Sequence, residues 1–400
     1  MAAGLEQVLE FLETLHFNDD ELLWLRRSGR FTDTFVDYLA QLRFTGDVHA
    51  MAEGRLFFAN EPILRITAPL PEAQLVESRL INILHFQTLI ASKAARAVTV
   101  APNKLLVDFG LRRAHGAEAG LYAARACYLA GYNGTATVLA EPCYGIPTFG
   151  TMAHSFIMAH ADETQAFEHF AQAQPDNVVL LIDTYDTEAA AEKVVALAPR
   201  LTQQGIAIKG VRLDSGDLAQ HARNVRRILD RGGLTGTTIF ASGNLDEYTL
   251  RDLVACNAPI DGFGLGTHMN TSNDAPYLDC AYKLQEYSHT PKRKRSEGKA
   301  TWPGRKQVYR RYADNGEMRG DVLTTEDDIQ QGEALLQSVM NNGQRRHPPV
   351  ALNVSRQLAN EELQRLPNAY RALAQCTEPY PVIVADALIE LAKTVDLQQH

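Results

Sequence analysis

Cysteine is scarce in this 400-residue chain and follows no pattern: Cys127, Cys143, Cys256, Cys280 and Cys376 are scattered and never form a C-x-x-C pair. That spacing provides neither a disulfide framework nor a zinc ribbon, and it predicts buried thiols in a reducing, cytoplasmic setting. Long apolar runs are missing as well. No stretch is long enough to span a bilayer, and the N-terminus lacks the apolar core of a signal peptide. Positive charge is the third shortage. The formal net charge is −9 and the only dense basic run is Lys292-Arg-Lys-Arg295, which reads as a solvated loop. Such a chain repels a phosphate backbone, so nucleic acid is excluded as a partner. A small phosphorylated substrate is not excluded, because a local cluster of Arg side chains or backbone N–H groups binds it despite the global charge.

What is present is ordinary for a globular enzyme: 45% apolar and 22% charged residues. Four hundred residues exceed the needs of one small core, so a large and a smaller domain are expected. Residues 1–43 read as short helices, the first with apolar residues at Leu5, Val8, Leu9, Leu12 and Leu15. Asn18-Asp-Asp-Glu21 is a helix entry. The pattern turns to β from Phe44 to Ile66, and Pro71 to about Val98 reads as one long buried helix. Short apolar runs then recur, mostly with helical stretches between them: Leu105–Val107, Thr135–Leu139, Val178–Ile182, Ile206–Leu213, Thr237–Ala241 and Ile260–Phe263, with a further strand near Ala281–Leu284. Continuous apolar strands alternating with helices indicate parallel strands covered by helices. The expected fold is α/β, a (β/α) barrel over 99–285 rather than a flat sheet, though periodicity alone does not close it. Beyond the exposed basic loop, Arg305–Tyr312 reads as a strand and Val384–Val395 as a helix.

The residues that follow these runs carry the chemistry. Asp108-Phe-Gly, Asp183-Thr-Tyr-Asp186, Asp214-Ser-Gly-Asp217, Ser242-Gly-Asn244 and Gly264-Leu-Gly-Thr267 all stand at strand ends. In a barrel those ends share one face, where active sites lie. Three carboxylates and two glycine-rich turns would therefore converge, although any one Asp could equally be the cap of the next helix. The glycine-rich turns, late in the barrel, suit a phosphate. Arg112-Arg113 suits an anion or is simply a surface pair. Arg212 lies inside an apolar strand, where an unpaired charge is costly, so it pairs with a carboxylate or grips a substrate anion. His154, in Gly150-Thr-Met-Ala-His-Ser155, is a candidate centre, though a lone histidine is more often structural. His154 and His160 are six apart, the wrong spacing for metal ligands on one helix face.

These segments together resemble the nicotinate phosphoribosyltransferase family. The matching stretches run in order over nearly the whole chain: Phe44-Thr-Gly-Asp-Val48, Asn60-Glu-Pro62, Glu72 to Glu77, Lys93-Ala-Ala-Arg96, Asp108 to Ala114, Gly150 to Ser155, Asp183 to Thr187, Arg212 to Leu218, Ser242-Gly-Asn244, Gly264 to Thr267, Tyr282-Lys-Leu284 and Pro303 to Gln307. The resemblance implies an open or irregular α/β barrel with an adjoining α/β sandwich domain, to which residues 1–98 and 286–400 would contribute. It also implies that nicotinate is joined to phosphoribosyl diphosphate, with ATP consumed and Mg²⁺ required, in a homodimer with shared sites. By motif, His154 is similar to the histidine that ATP phosphorylates. Thr151 and Arg212 match nicotinate-contacting positions, and Thr267 matches a phosphoribosyl diphosphate contact. Gly243, Gly266, Asp183, Asp214 and Arg112 are expected around that second substrate, with Asp183 and Asp214 orienting ribose hydroxyls or the Mg²⁺ shell. No metal ligand is assigned.

One departure accompanies the resemblance. Members of the family carry, ahead of the matched region, a segment with an Asp-x-Tyr motif whose aromatic ring stacks on nicotinate across the subunit interface. Met1-Ala-Ala-Gly-Leu-Glu aligns after it. The expectation is a sandwich domain lacking its N-terminal part, with an exposed edge. Two alternatives to the main reading follow: an acceptor other than nicotinate (nicotinamide or quinolinate), or a truncated copy that acts only by association.

Overall fold

The computed structural model describes residues 1–297, 300–374 and 376–398. The chain divides into two compact units, Met1–Leu89 with Tyr277–His400, and Ile90–Pro276.

In the first unit, helix Leu5–Glu13 buries Leu5, Val8, Leu9 and Leu12, the one-face spacing of an amphipathic helix. Helix Asp19–Arg27 starts at a capping box: the Asn18 side chain accepts from the Glu21 N–H while Glu21 reaches back to the Asn18 N–H. Two four-stranded sheets follow. In one, the order is Gln344–Arg345, Gln337–Asn341, Asp47–Ala50, Leu64–Thr67, all antiparallel. In the other it is Glu333–Ala334, Lys306–Tyr312, Met318–Thr325, Val382–Val384, with the last strand parallel to its neighbour. Met51, Val308, Leu323, Leu335, Leu336 and Leu388 form one buried cluster in this α/β sandwich.

The second unit holds six parallel strands, β1 (Leu105–Asp108), β2 (Gly134–Thr135), β3 (Val178–Leu181), β4 (Ile208–Leu213), β5 (Thr238–Ala241) and β6 (Gly262–Leu265). Their order is β2-β1-β6-β5-β4-β3. Read as a ring, every neighbour is hydrogen-bonded except β2 and β3, so the barrel is open at that seam. Helices cover it by their apolar stripes; Leu218–Arg231, for example, buries Leu218, Ala222, Val225 and Leu229. The second unit is thus the irregular, partly curled (β/α) barrel that the strand rhythm predicted, and the first is the α/β sandwich that the family resemblance implied.

Several local expectations change. The run Thr135–Leu139 is a two-residue strand, after which Val138 (71% exposed) and Leu139 (57%) lead into helix Ala140–Tyr144. No strand forms at Ala281–Leu284. The long helix is two, Leu70–Leu75 and Glu77–Val100. Of the five thiols, all free, only Cys127 is buried. The basic run is partly held: Arg293 pairs with Asp396 at 3.3 Å and lies over the Trp302 ring. Among the described residues, no helix is long and apolar enough to cross a membrane.

Candidate active site

The open seam is where the histidine sits. After β2 the chain bridges back at Thr148, with the Phe149 N–H donating to Thr135 O at 2.9 Å. It then runs through Gly150-Thr-Met-Ala and begins the short helix His154–Met158. His154 Nδ1 lies 3.1 Å from Thr184 Oγ1, just beyond β3. Its Nε2 lies 3.8 Å from Asp183 Oδ1 and 3.7 Å from Asp214 Oδ2. The ring is thus oriented by one hydroxyl and faces two carboxylates that come from neighbouring strand ends.

Those carboxylates are fixed from behind. Asp183 Oδ2 accepts from the Asp214 N–H (2.9 Å) and from Ser215 Oγ (2.6 Å), while its Oδ1 is buried without a hydrogen-bond partner. Burial pushes the Asp214 carboxyl up, but the Ser242 hydroxyl, the Arg212 guanidinium and His154 outweigh it and hold Asp214 below the usual carboxylate range. Ser242 Oγ donates to Asp214 Oδ1 at 2.5 Å.

Arg212, next to last on β4, ties the set together. Its Nε donates to Ser242 Oγ, Nη1 to Thr151 Oγ1 and Nη2 to Asp214 Oδ1, each at 2.8 Å. The guanidinium carbon lies 5.4 Å from the centroid of the Phe109 ring. Both earlier readings of Arg212 are therefore open to it: it pairs with a carboxylate, and three bonds leave two of its five N–H donors for a substrate anion.

The turn after β5 is built for close approach. Gly243 has φ +96°, and a Cβ there would stand 2.0 Å from Asp214 O, so only glycine fits. Gly266 and Thr267 lie at the end of β6, with Thr267 exposed at the start of helix Thr267–Asn270. Arg112 is exposed on the turn Leu111–Arg113 after β1. No hydrogen bond among the described residues joins Thr267, Gly266 or Arg112 to the His154–Arg212 set.

Convergence of three carboxylates is corrected to two. Asp108 is fully buried, accepting from the Gly110 N–H (2.9 Å) and from Thr135 Oγ1 (2.7 Å), and so it knits β1 to β2. Burial raises its carboxyl to about 6 against those hydrogen bonds. The capping alternative also proves real, but for the second Asp of each motif: Asp186 caps Thr187–Gln203 and Asp217 caps Leu218–Arg231. Thr184, Ser215, Ser242 and Phe109 were not singled out from sequence, although each lies inside or beside a strand-end motif that was.

An open parallel (β/α) barrel whose strand ends gather an arginine, a histidine and two carboxylates, with glycine-rich turns after β5 and β6, has the makings of an enzyme active site, and comparison with known proteins places it in the phosphoribosyl-transferring class. Residues 1–85 match the nicotinate phosphoribosyltransferase (NAPRTase) N-terminal domain, and residues 105–316 match the nicotinate phosphoribosyltransferase (NAPRTase) family. The chain belongs to the nicotinate phosphoribosyltransferase family. Nicotinate phosphoribosyltransferase pncB2 of Mycobacterium tuberculosis is 46% identical, over 98% of this chain and 85% of its own length. The Bacillus subtilis nicotinate phosphoribosyltransferase is 40% identical, over 82% of this chain and 68% of its own. The crystal structure of human nicotinic acid phosphoribosyltransferase superposes with a TM-score of 0.88 at 27% identity, covering 98% of this chain and 92% of that one.

Proposed function

We propose that His154 is the residue ATP phosphorylates in a chain that joins nicotinate to 5-phosphoribosyl 1-diphosphate, releasing nicotinate mononucleotide and diphosphate. The observation that supports this most is the ring geometry: Nδ1 against the Thr184 hydroxyl, Nε2 turned toward Asp183 and Asp214. With its proton on Nδ1 and donated to Thr184, a neutral imidazole presents the Nε2 lone pair to the γ-phosphorus. An N–P bond forms, ADP leaves, and the proton stays on Nδ1. The phosphoryl group then adds negative charge and acceptor oxygens at the strand ends, altering how the neighbouring turns hold diphosphate.

Arg212 takes the nicotinate carboxylate on its two remaining N–H groups, with Thr151 beside it. Attack of the pyridine nitrogen on the anomeric carbon expels diphosphate through an oxocarbenium-like state, which an adjacent carboxylate stabilises. Gly243, Gly266 and Thr267 receive the phosphates through backbone N–H and hydroxyl groups, and Arg112 adds a cation from β1. The buried Asp183 Oδ1, which has no hydrogen-bond partner, and the Asp214 carboxylate fit a Mg²⁺ ion, which commonly takes one or two carboxylates plus substrate phosphates. Among the described residues no group of three His, Cys, Asp or Glu could hold a metal ion, which favours an ion that arrives with the diphosphate. When bound, Mg²⁺ supplies charge neutralisation of the leaving group. A cytoplasmic homodimer is the assembly this reading expects.

Purified protein should form nicotinate mononucleotide faster with ATP than without it, and His154→Ala should abolish that stimulation. Persistence of the stimulation in the variant would remove His154 from the role. Turnover with nicotinate should exceed turnover with nicotinamide or quinolinate; preference for either alternative would overturn the acceptor assignment.

A further inference from the structure

Lys93 is almost fully buried and its ammonium bridges two acids on separate segments. Its Nζ stands 2.9 Å from each oxygen of Glu247 and 2.5 Å from Asp274 Oδ1. Glu247, fully buried, is the first residue of the helix that opens directly after the Ser242–Asp246 turn. Asp274 lies four residues past the helix Thr267–Asn270 that follows the Gly266 turn. Arg96 completes the set, with Nε 2.9 Å from Glu247 Oε1 and Nη2 donating to Tyr248 Oη at 2.8 Å. Lys93 and Arg96 thus meet Glu247 and Asp274 on the segments that follow the two glycine-rich turns.

We infer that Lys93 is a positioning residue that fixes the spacing between the Gly243 turn and the Gly266–Thr267 turn, and thereby the affinity for a diphosphate group. The inference rests on the reading of those turns as the phosphate-binding elements. A diphosphate has two phosphoryl groups at a fixed separation, so two turns grip it only if their own separation is held. β5 and β6 are neighbours, but their ladder ends at Ala241 and Phe263, before either turn begins. Beyond that point the Lys93 bridge is a hydrogen-bonded connection between the segments that follow the turns. It touches none of the site residues described above, and its effect falls on diphosphate rather than on nicotinate, which faces Arg212 on β4.

The test measures binding of magnesium diphosphate by calorimetry, alongside KM for nicotinate and the thermal midpoint. Asp274→Ala removes the acceptor on the second segment and leaves Lys93 paired with Glu247, so folding is safe. It should weaken magnesium diphosphate about fivefold to tenfold, within the range of coupling between residues in one network, with nicotinate KM and midpoint held. Lys93→Met should weaken it at least as much, and the double variant should be no worse than Lys93→Met alone. Gly243→Ala serves as the control on the turn itself. If Gly243→Ala weakens diphosphate while Asp274→Ala does not, the bridge is overturned and the phosphate reading stands. If the unaltered protein fails to bind diphosphate, or Gly243→Ala is indifferent, both fall. Parallel losses of diphosphate affinity, nicotinate KM and midpoint, or additive losses in the double variant, would reduce Lys93 to a merely structural ion pair.

Discussion

Arg212 shows how much one side chain is asked to do. Its fork reaches Thr151, Ser242 and Asp214 in three directions and still has donors left over. Lysine keeps the charge but offers one compact ammonium that cannot reproduce a planar fork. Arg212→Lys should raise the KM for nicotinate by about 10- to 100-fold, the worth of losing one or two charge-assisted hydrogen bonds. Steady-state kinetics with nicotinate and nicotinamide measure it, and an unchanged nicotinate KM would take Arg212 out of the acceptor pocket. This residue was legible in the sequence because a charge inside an apolar run has to be accounted for. Thr184, Ser215 and Ser242 were not. Hydroxyls are common in every strand-end turn, and what distinguishes these three is pairing with groups from other elements, which no local pattern encodes. Asp108 was misplaced for the converse reason: its surroundings in sequence match those of Asp183 and Asp214, and only burial and the Thr135 bond reveal its different task.

At the scale of the element, the strand-end motifs divide labour between two acids. In Asp214-Ser-Gly-Asp217 the first acid faces His154, and the second caps its helix by accepting from the Gln220 N–H at 3.0 Å. Asp217→Ala should cost about 1 kcal/mol of stability, the usual worth of an N-cap, and leave turnover within about twofold. Asp214→Asn should cut turnover by about 100-fold or more, since it removes charge placed beside the reacting centre. Thermal melts and initial rates on the two variants separate the roles; equal effects on rate would contradict the division. The order of elements along the chain was readable from alternating apolar runs, and so was the shared face of their polar ends. The seam between β2 and β3 was not. Thr135–Leu139 has strand-like composition, yet only Gly134–Thr135 pair, because the chain turns at once into helix Ala140–Tyr144. Which strands fail to pair is decided by tertiary packing rather than by propensity.

Across the whole molecule, a net charge of −9 coexists with acids buried in both units, and their linkage to pH differs from that of the surface. Asp108 in the barrel unit is raised to about 6 by burial. Glu61 in the sandwich unit is raised further, to about 9, by burial and by the negative charge of Asp321, against the Phe58 N–H bond and Arg310. Around it, Arg310 holds Asp321 with Nε (3.0 Å) and Nη2 (2.6 Å) and Glu362 with Nη1 (2.7 Å), and Tyr380 Oη donates to Asp321 at 3.2 Å. Arg310 is thus committed to two other acids, which leaves Glu61 to remain neutral by holding its proton. A carboxyl whose folded pKa lies above its unfolded one binds more protons in the native state between the two values. Its stabilisation is complete below about 4.5 and is lost as pH rises toward about 9. Lys306 runs the opposite way: burial first, and then Arg65, lower it to about 7, so its contribution grows with rising pH. The two oppose each other in the intact protein, so the Glu61 contribution is read as a difference. Glu61→Gln should melt close to the unaltered protein near pH 5 and progressively above it toward pH 9, because glutamine never has to ionise beside Asp321. Melting curves of the pair across that range that stay parallel would mean that Glu61 is already ionised in the fold, and that Arg310 neutralises three acids rather than two.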